Sequence, residues 1–174
     1  MKKKDIFISL AIIGAAALTL WVCLRTKGHV RIDAGGADAE LQMQNGWFAR
    51  ATITSGVESP EVGARVYNAR RLSISSKRNG QTWRIECLGP WGNLSRIKVK
   101  NNETTDLRLG PPFLIKPRIS RSGSVLAIDY AIVGRAGELY QSFATKDGGA
   151  MSGAKVNIVD EAGNVLEAGQ FSYG

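Results

Sequence analysis

The chain has few of the side chains on which enzymes and metal sites most often depend. Its 174 residues include one histidine and two cysteines. His29 alone would have to serve as the base of a serine triad, and it directly follows an apolar segment, away from a core that could orient it. A zinc site needs more His and Cys ligands than these. We therefore predict no catalytic residue, no metal site and no cofactor, and we interpret His29 as an interfacial or linker residue.

The sequence motifs of enzymes are absent as well. The chain contains no nucleophile elbow, no zinc-protease motif and no phosphate-binding loop. Carboxylates are the remaining route to catalysis, and Glu138 with Asp129 could pair for glycoside hydrolysis. Nothing in their spacing distinguishes them from surface carboxylates. An enzyme with a carboxylate site is therefore a minor alternative.

The two cysteines cannot form a disulfide within the body of the protein. Cys23 lies in the apolar N-terminal segment, whereas Cys87 belongs to the body. Cys87 alternates in phase with Trp83 and Ile85, which predicts a buried and unreactive thiol. A body of this size can be stable without a disulfide, so an exported location stays compatible with the sequence.

A long uncharged run is the strongest feature of the N-terminus. It covers residues 6–24 and follows three lysines; as a helix it would be about 28 Å long, close to the thickness of the hydrocarbon core. We predict that residues 1–28 form an uncleaved signal anchor with one transmembrane helix. Two alternatives stay open, a signal peptide cleaved after Ala17 and a lipoprotein acylated at Cys23.

The charges beside this run predict on which side of the membrane the body lies. Three lysines precede the run, and Arg25, Lys27 and Arg31 follow it, so the positive charges on the two sides are nearly equal. The dense N-terminal cluster favours an inside N-terminus. We predict a single-pass protein of the cell membrane, with residues 29–174 in the periplasm or at the cell surface.

The body shows the pattern of short strands joined by turns. Alternating apolar residues separated by Gly, Asn and Asp indicate about ten strands and almost no helix. Four hairpins are predicted, with turns at 45–46, 77–80, 121–123 and 161–164. Ala127–Val133 is apolar on both faces apart from Asp129, which is typical of a central strand, and Pro117 marks an edge or a crossing. The pattern predicts an all-β antiparallel sandwich, either one or two small ones divided near residues 110–120.

Two segments carry a resemblance to known domains. Ala154–Gly174, together with Gly137–Tyr140, resembles the closing hairpin of small immunoglobulin-like β-sandwich domains in exported bacterial proteins. Asn102–Pro112 resembles a strand of carboxypeptidase-regulatory-like, transthyretin-type sandwiches. The resemblance implies a fold of one of these types. It also implies a non-catalytic role, since such domains are mainly structural or adhesive.

Positive charge is concentrated in the middle of the chain. The whole chain carries a net charge of +8, and residues 65–121 hold thirteen Lys and Arg against three carboxylates. If the strands of this region share a sheet, their outward side chains form one cationic face that would attract anionic polymers or lipid headgroups. The alternative is a solvated face that keeps the sheet soluble. The candidate anion-binding residues are Arg71, Arg84, Lys98, Lys100 and Arg108.

Trp91 is the second candidate contact residue. It lies in a segment rich in Gly and Pro, residues 89–93, which predicts a rigid loop. An indole on such a loop could stack on a sugar ring or anchor a protein partner. The alternative is that Trp91 caps the hydrophobic core.

These observations predict a binding protein. We interpret the chain as a membrane-anchored, extracytoplasmic β-sandwich that serves as a non-catalytic binding or assembly module for another envelope protein. The alternative function is binding of an anionic envelope polymer or of lipid headgroups through the basic residues. The sequence contains no motif for RNA or DNA recognition, so we do not expect nucleic acid as a partner. It does not define the oligomeric state.

Overall fold

The computed structural model describes residues 26–47, 49–56, 58–140, 143–151, 153 and 155–171. Within these ranges the only helical element is the 3-10 turn Gly92–Ser95, and none of the described residues form a helix long and apolar enough to cross a membrane. The predicted anchor, residues 6–24, lies outside the described residues. The all-β prediction for the body is confirmed.

The described residues form fifteen strands. In chain order they are β1 (Lys27–Asp33), β2 (Asp38–Asn45), β3 (Ala49–Thr54), β4 (Glu61–Gly63), β5 (Val66–Arg78), β6 (Gln81–Leu88), β7 (Ile97–Lys98), β8 (Thr104–Arg108), β9 (Leu114–Ser122), β10 (Val125–Val133), β11 (Leu139–Tyr140), β12 (Phe143–Lys146), β13 (Gly149–Ala150), β14 (Lys155–Val159) and β15 (Val165–Gln170).

The strands assemble into sheets that are almost entirely antiparallel. The largest sheet has the order β13-β12-β6-β5-β2-β3, with β7 paired to β5. A second sheet has the order β4-β1-β8, a third has the order β11-β10-β9, and β14 pairs with β15. One pair departs from the antiparallel prediction, because β1 and β8 run parallel. Such a pair needs a long crossover, here the whole stretch from β2 to β7.

The hydrophobic core joins the largest sheet to the second sheet. Val30 of β1 packs in one buried cluster with Leu41 of β2 and Leu72 of β5, and all three are fully buried. Among the described residues beyond 110, Ala136 and Tyr140 are the buried hydrophobic members of this cluster. Burial of each large aliphatic side chain contributes about 1.5–3 kcal/mol. The arrangement is consistent with a β-sandwich, and the division near residues 110–120 stays a prediction.

The residues in the turns determine where the hairpins reverse direction. Asn79 and Gly80 form a two-residue turn between β5 and β6, and both have positive φ, 52° and 75°. A type I′ turn requires this conformation, and Asn and Gly adopt it at low cost. The predicted two-residue turn at 45–46 is wrong in detail, because Asn45 still belongs to β2 and pairs with Ala49 of β3.

The β9–β10 hairpin differs from the prediction of a buried central strand. β10 is central by pairing, since it lies between β9 and β11. Nevertheless no residue of Ala127–Val133 is buried, Ala127 and Asp129 are exposed, and every residue of β9 is exposed. Periodicity identified the strand but not its burial, because a continuous apolar run does not show what covers it. Pro117 lies in β9 at the sheet edge, as its missing N–H predicts.

The start of the β-structure corrects the interpretation of His29. β1 begins at Lys27, so Lys27 and Gly28 already belong to a sheet. His29 pairs with Glu61 on one side and with Thr104 on the other. Its Nδ1 lies 3.0 Å from the carbonyl oxygen of Ser59. His29 is therefore a strand residue and not a linker residue.

Candidate functional site

The structure distributes the five predicted anion-binding residues over different parts of the fold. Arg71 (β5), Arg84 (β6) and Lys98 (β7) belong to the largest sheet. Lys100 follows β7, and Arg108 ends β8 in the second sheet. The assumption that all five share one sheet is therefore wrong. Alternation along each strand could not reveal this, because the pairing of strands is set by contacts between distant parts of the chain.

Glu86 holds two of these five cations together. The carboxylate of Glu86 pairs with the guanidinium of Arg71, and its Oε1 lies 3.0 Å from Nε of Arg84. Nε of Arg84 also donates to Oγ of Ser73 at 2.8 Å. Glu86 thus neutralises part of the positive charge at the point where Arg71 and Arg84 meet, which weakens the attraction of this pair for an external anion.

The other three candidates are exposed but differ in their partners. Nζ of Lys100 lies 2.8 Å from Oε2 of Glu103. Lys98 and Arg108 make no ion pair with any of the described residues. Anion binding by these three side chains stays a prediction.

Trp91 is part of the core and does not project from a loop. Its side chain is 9% exposed and belongs to the buried cluster, next to Leu94 of the 3-10 turn. Gly89 packs closely against the ring, since an added Cβ there would lie 2.8 Å from it. A buried indole cannot offer an open face to a sugar. The alternative in which Trp91 caps the core therefore describes the structure.

A groove that the sequence did not indicate lies on the outer face of β3, β2 and β5. A cleft of about 390 Å³ and an adjoining cleft of about 220 Å³ share the lining residues Gln44, Arg50 and Arg70. Trp47, in the turn between β2 and β3, lines one end and is 89% exposed. We call this surface the arginine groove. Its defining residues are Gln42, Gln44, Trp47, Arg50, Asn68 and Arg70.

An irregularity in strand pairing forms the arginine groove. The register between β2 and β5 shifts at Gln42 and Met43, so that Gln42 pairs with Arg71 and Met43 pairs with Ala69. Arg70 is the extra residue, and both Arg70 and Arg71 are exposed while Ala69 and Leu72 are buried. A β-bulge re-aims side chains in this way. The adjacent arginines are the only trace of the bulge in the sequence, and strict alternation would have placed one of them inside.

The second exposed surface is one side of the β9–β10 hairpin, which we call the hairpin face. Residues that pair directly across two strands share a face. Ile115 pairs with Ile132, Pro117 with Tyr130, and Ile119 with Ile128. The hairpin face consists of Ile115, Pro117, Ile119, Leu126, Ile128, Tyr130 and Ile132, with Arg121 opposite Leu126 at its tip.

The hairpin face is anchored at its base and open further out. Ile132 packs against the core, and the ring of Tyr130 contacts that of Phe171 with centroids 4.5 Å apart. Toward the tip, the side chain of Ile119 is 66% exposed. The opposite side of β9 carries Lys116, Arg118 and Ser120. The middle of β9 is thus apolar on the hairpin face and polar on the other side, although Leu114 and Val125 at the two ends of that other side are also exposed.

Glu138, one of the two carboxylates considered for catalysis, has a structural position. It is fully buried and accepts hydrogen bonds from the backbone N–H of Ala136 at 2.8 Å and from the hydroxyl of Tyr140 at 3.0 Å. The N–H of Gly110 donates to it as well. Asp129 is exposed, on the opposite side of β10 from the hairpin face. The pair does not converge in a cleft, so the glycosidase arrangement is not formed.

Cys87 is buried, as its phase in the sequence predicts. The thiol is 4% exposed, and burial raises its pKa to about 12. A thiol that stays protonated is a poor nucleophile. Over the part of the chain that the structure describes, no three His, Cys, Asp or Glu side chains are grouped as metal ligands would be.

No protein-family model, curated protein or solved structure matches the chain.

Proposed function

We propose that the chain is a non-catalytic binding or assembly module for another protein of the cell envelope. In this proposal residues 6–24 anchor it in the cell membrane, and the body is an extracytoplasmic β-sandwich of immunoglobulin-like or transthyretin-like type. The observation that carries the proposal is the exposed hairpin face. The uncharged run in the sequence supports the anchor.

Exposure of the hairpin face favours a protein partner. Ile115, Ile119 and Leu126 are large apolar side chains on one side of a hairpin, and each is exposed. Contiguous apolar patches on soluble domains mark interaction sites. Burial of each of these side chains in an interface contributes roughly 1.5–3 kcal/mol, enough for a small cluster of this kind to dominate binding.

The charges around the hairpin face indicate which charges the partner's surface should carry. Lys116 and Arg118 line the other side of β9, whereas Arg121 pairs with Leu126 and lies on the hairpin face itself, at its tip. All three are exposed, and Asp129 is the carboxylate on the paired strand. A partner that covers the apolar side chains is expected to bring carboxylates to this rim, since charge complementarity steers association.

Site-specific photo-cross-linking tests the protein partner. A photoreactive residue at position 119 of the full-length chain, expressed in its native cells, is expected to give a discrete cross-linked species. The same residue at position 120, on the opposite side of β9, is the matched control and should give much less. The 119 adduct should also disappear when Ile115→Lys is added. Equal adducts at both positions, or none at 119, would contradict the proposal.

Protease accessibility tests the location. Digestion of the body in intact spheroplasts would agree with an extracytoplasmic body. Protection of the body until the spheroplasts are lysed would place it in the cytoplasm and overturn this part of the proposal. A tagged cytoplasmic protein serves as the control for spheroplast integrity.

A second function, binding of an anionic envelope polymer or of anionic lipid headgroups, is supported by the arginine groove. Arg50 and Arg70 are exposed and form no ion pair with any described residue. Removing a guanidinium group from water costs less free energy when an anion forms charge-assisted hydrogen bonds with it in place of the water. No comparable observation supports an enzyme, since Glu138 is committed to backbone and tyrosine donors.

A further inference from the structure

We propose that the arginine groove binds an acidic glycan, a chain of sugar rings that carries carboxylates or phosphates. This inference deepens the second function above, rests on it, and moves the binding site away from four of the five basic residues that the sequence suggested. Arg71 alone remains beside the groove. The site involves Trp47, Arg50 and Arg70, with Gln42 and Gln44 between the two arginines.

The two arginines face the groove from either side of β2. Arg50 of β3 pairs with Gln44, and Gln44 pairs with Asn68 of β5, two residues before Arg70. The backbones of β3 and β5 are therefore two strand spacings apart, about 10 Å. A ligand that contacts both guanidinium groups has to cross β2 and pass over its outward amide side chains. This geometry fits an extended chain better than a single small anion.

The charge of the groove differs from that at Arg71. Arg71 is neutralised by Glu86, whereas Arg50 and Arg70 make no ion pair with a described carboxylate. The nearest carboxylate along the outward side of β2 is that of Glu40, two residues before Gln42, and its Oε1 accepts from Nε2 of Gln42 at 3.3 Å. Glu40 does not line either cleft. Two guanidinium groups without partners favour an anionic ligand, and they bind carboxylate and phosphate with fixed geometry.

The exposed indole of Trp47 favours a ligand that contains sugar rings. Its indole is 89% exposed at one end of the groove, although Trp is among the residues that folding usually covers. The turn that carries it is held by Nε2 of Gln44, which donates to the carbonyl of Gly46. An aromatic face next to amide groups supplies what a pyranose ring needs, an apolar surface for its C–H face and polar groups for its hydroxyls. Guanidinium groups alone would accept any anion; the indole and the amides favour a glycan.

Glycan binding by the full-length chain in detergent micelles tests this inference. The probes are polygalacturonate, which carries carboxylates, a phosphorylated mannan, and neutral dextran as the uncharged control. Binding is measured by titration calorimetry at two salt concentrations. We expect one or both acidic glycans to bind and dextran not to bind, with an affinity that falls as salt rises. The two acidic probes separate the carboxylate source from the phosphate source.

Variants then locate the site. Trp47→Ala, which removes the stacking surface, and separately Arg50→Gln with Arg70→Gln, which removes both charged donors, should each weaken acidic-glycan binding at least about tenfold. Lys77→Gln with Arg78→Gln removes the same charge at the far end of β5 and should leave binding within about twofold. Thermal unfolding of each variant confirms that the fold is retained.

Each other outcome decides against the inference. Equal weakening by the 77/78 pair would show a non-specific attraction to net charge. Tighter binding of single-stranded DNA than of either glycan would make nucleic acid the ligand class. Absence of glycan binding, while the cross-link at position 119 persists, would overturn the groove proposal and leave the protein-binding proposal standing.

Discussion

The guanidinium of Arg135 lies against the carboxylate of Asp33, 102 residues earlier in the chain, with Nη1 3.1 Å from Oδ2 and Nη2 3.1 Å from Oδ1. Nη2 also donates to the carbonyl oxygen of Leu109 at 2.9 Å. The ends of β1 and β8 and the turn before β11 thus meet at one side chain. The hydrogen bonds from Arg135, with that from the N–H of Gly35, lower the pKa of Asp33.

Arg135→Gln should reduce stability and change its dependence on acid. The folded-state pKa of Asp33 is below its unfolded value, so the stabilisation is present above the unfolded pKa and is lost as pH falls through the folded pKa. Thermal unfolding at pH 7 and pH 3 measures this. The variant should have a lower Tm at pH 7 and a smaller further drop at pH 3. An equal acid-induced drop in both proteins would contradict the role of this pair.

Glu138→Gln should be strongly destabilising although it conserves shape. An amide nitrogen would replace one carboxylate oxygen among three donors, the N–H groups of Gly110 and Ala136 and the hydroxyl of Tyr140. A buried donor left without an acceptor costs about 1–3 kcal/mol, so we expect a loss in that range from urea unfolding. Tyr140→Phe removes one donor and keeps the carboxylate, and it should cost less. A smaller loss for Glu138→Gln than for Tyr140→Phe would be inconsistent with this structure.

The stability of the protein should decline at alkaline pH because of Cys87, and the thiol of Cys87 should resist thiol reagents in the folded state. Burial raises its folded-state pKa from 9.0 to about 12, so the folded state keeps a proton that the unfolded state loses. The stabilisation is complete below about pH 9 and declines as pH rises toward 12. In a Cys23→Ser background, a chromogenic disulfide reagent should label the protein only after denaturation. Cys87→Ala should flatten the alkaline decline, and rapid labelling of the native thiol would disprove its burial.

The same substitution at two tryptophans should have opposite consequences. Trp91→Ala removes a buried core side chain and should cost about 3–5 kcal/mol of unfolding free energy. Trp47→Ala removes an exposed indole and should change stability by less than about 0.5 kcal/mol. Urea unfolding of the two full-length variants gives the comparison. Similar losses at both positions would mean that Trp47 is packed and is not available to a ligand.

Local turn chemistry explains what could be predicted from the sequence. The sequence predicts the β5–β6 hairpin, but with a turn over residues 77–80, whereas Lys77 and Arg78 still pair with β6 and only Asn79 and Gly80 form the turn. The edge position of Pro117 followed from its missing N–H. These are interactions between neighbours in the chain. Alternation likewise predicted the burial of Cys87, although Trp83, which is in phase with it, is exposed.

Long-range packing explains what could not be predicted. Whether Lys98 and Arg108 share a sheet depends on which distant strands pair, and the parallel pairing of β1 with β8 has no local signal. The burial of Trp91 depends on a core assembled from β1, β2 and β5. The exposure of Ile119 depends on whether another element of the fold packs over it. The bulge at Arg70 was missed for a different reason, since it breaks the alternation on which the prediction relied.

The position of β1 has a mechanical consequence. β1 begins at Lys27 and is held on both sides, by β4 and, in parallel, by β8 from His29 to Asp33. Tension applied to the chain N-terminal to Lys27 acts along the strand, so the hydrogen bonds of both ladders are loaded in shear and share the force. An edge strand in a hairpin would instead open one bond at a time. The chain segment next to the predicted anchor therefore enters the fold through a strand that is paired on both sides.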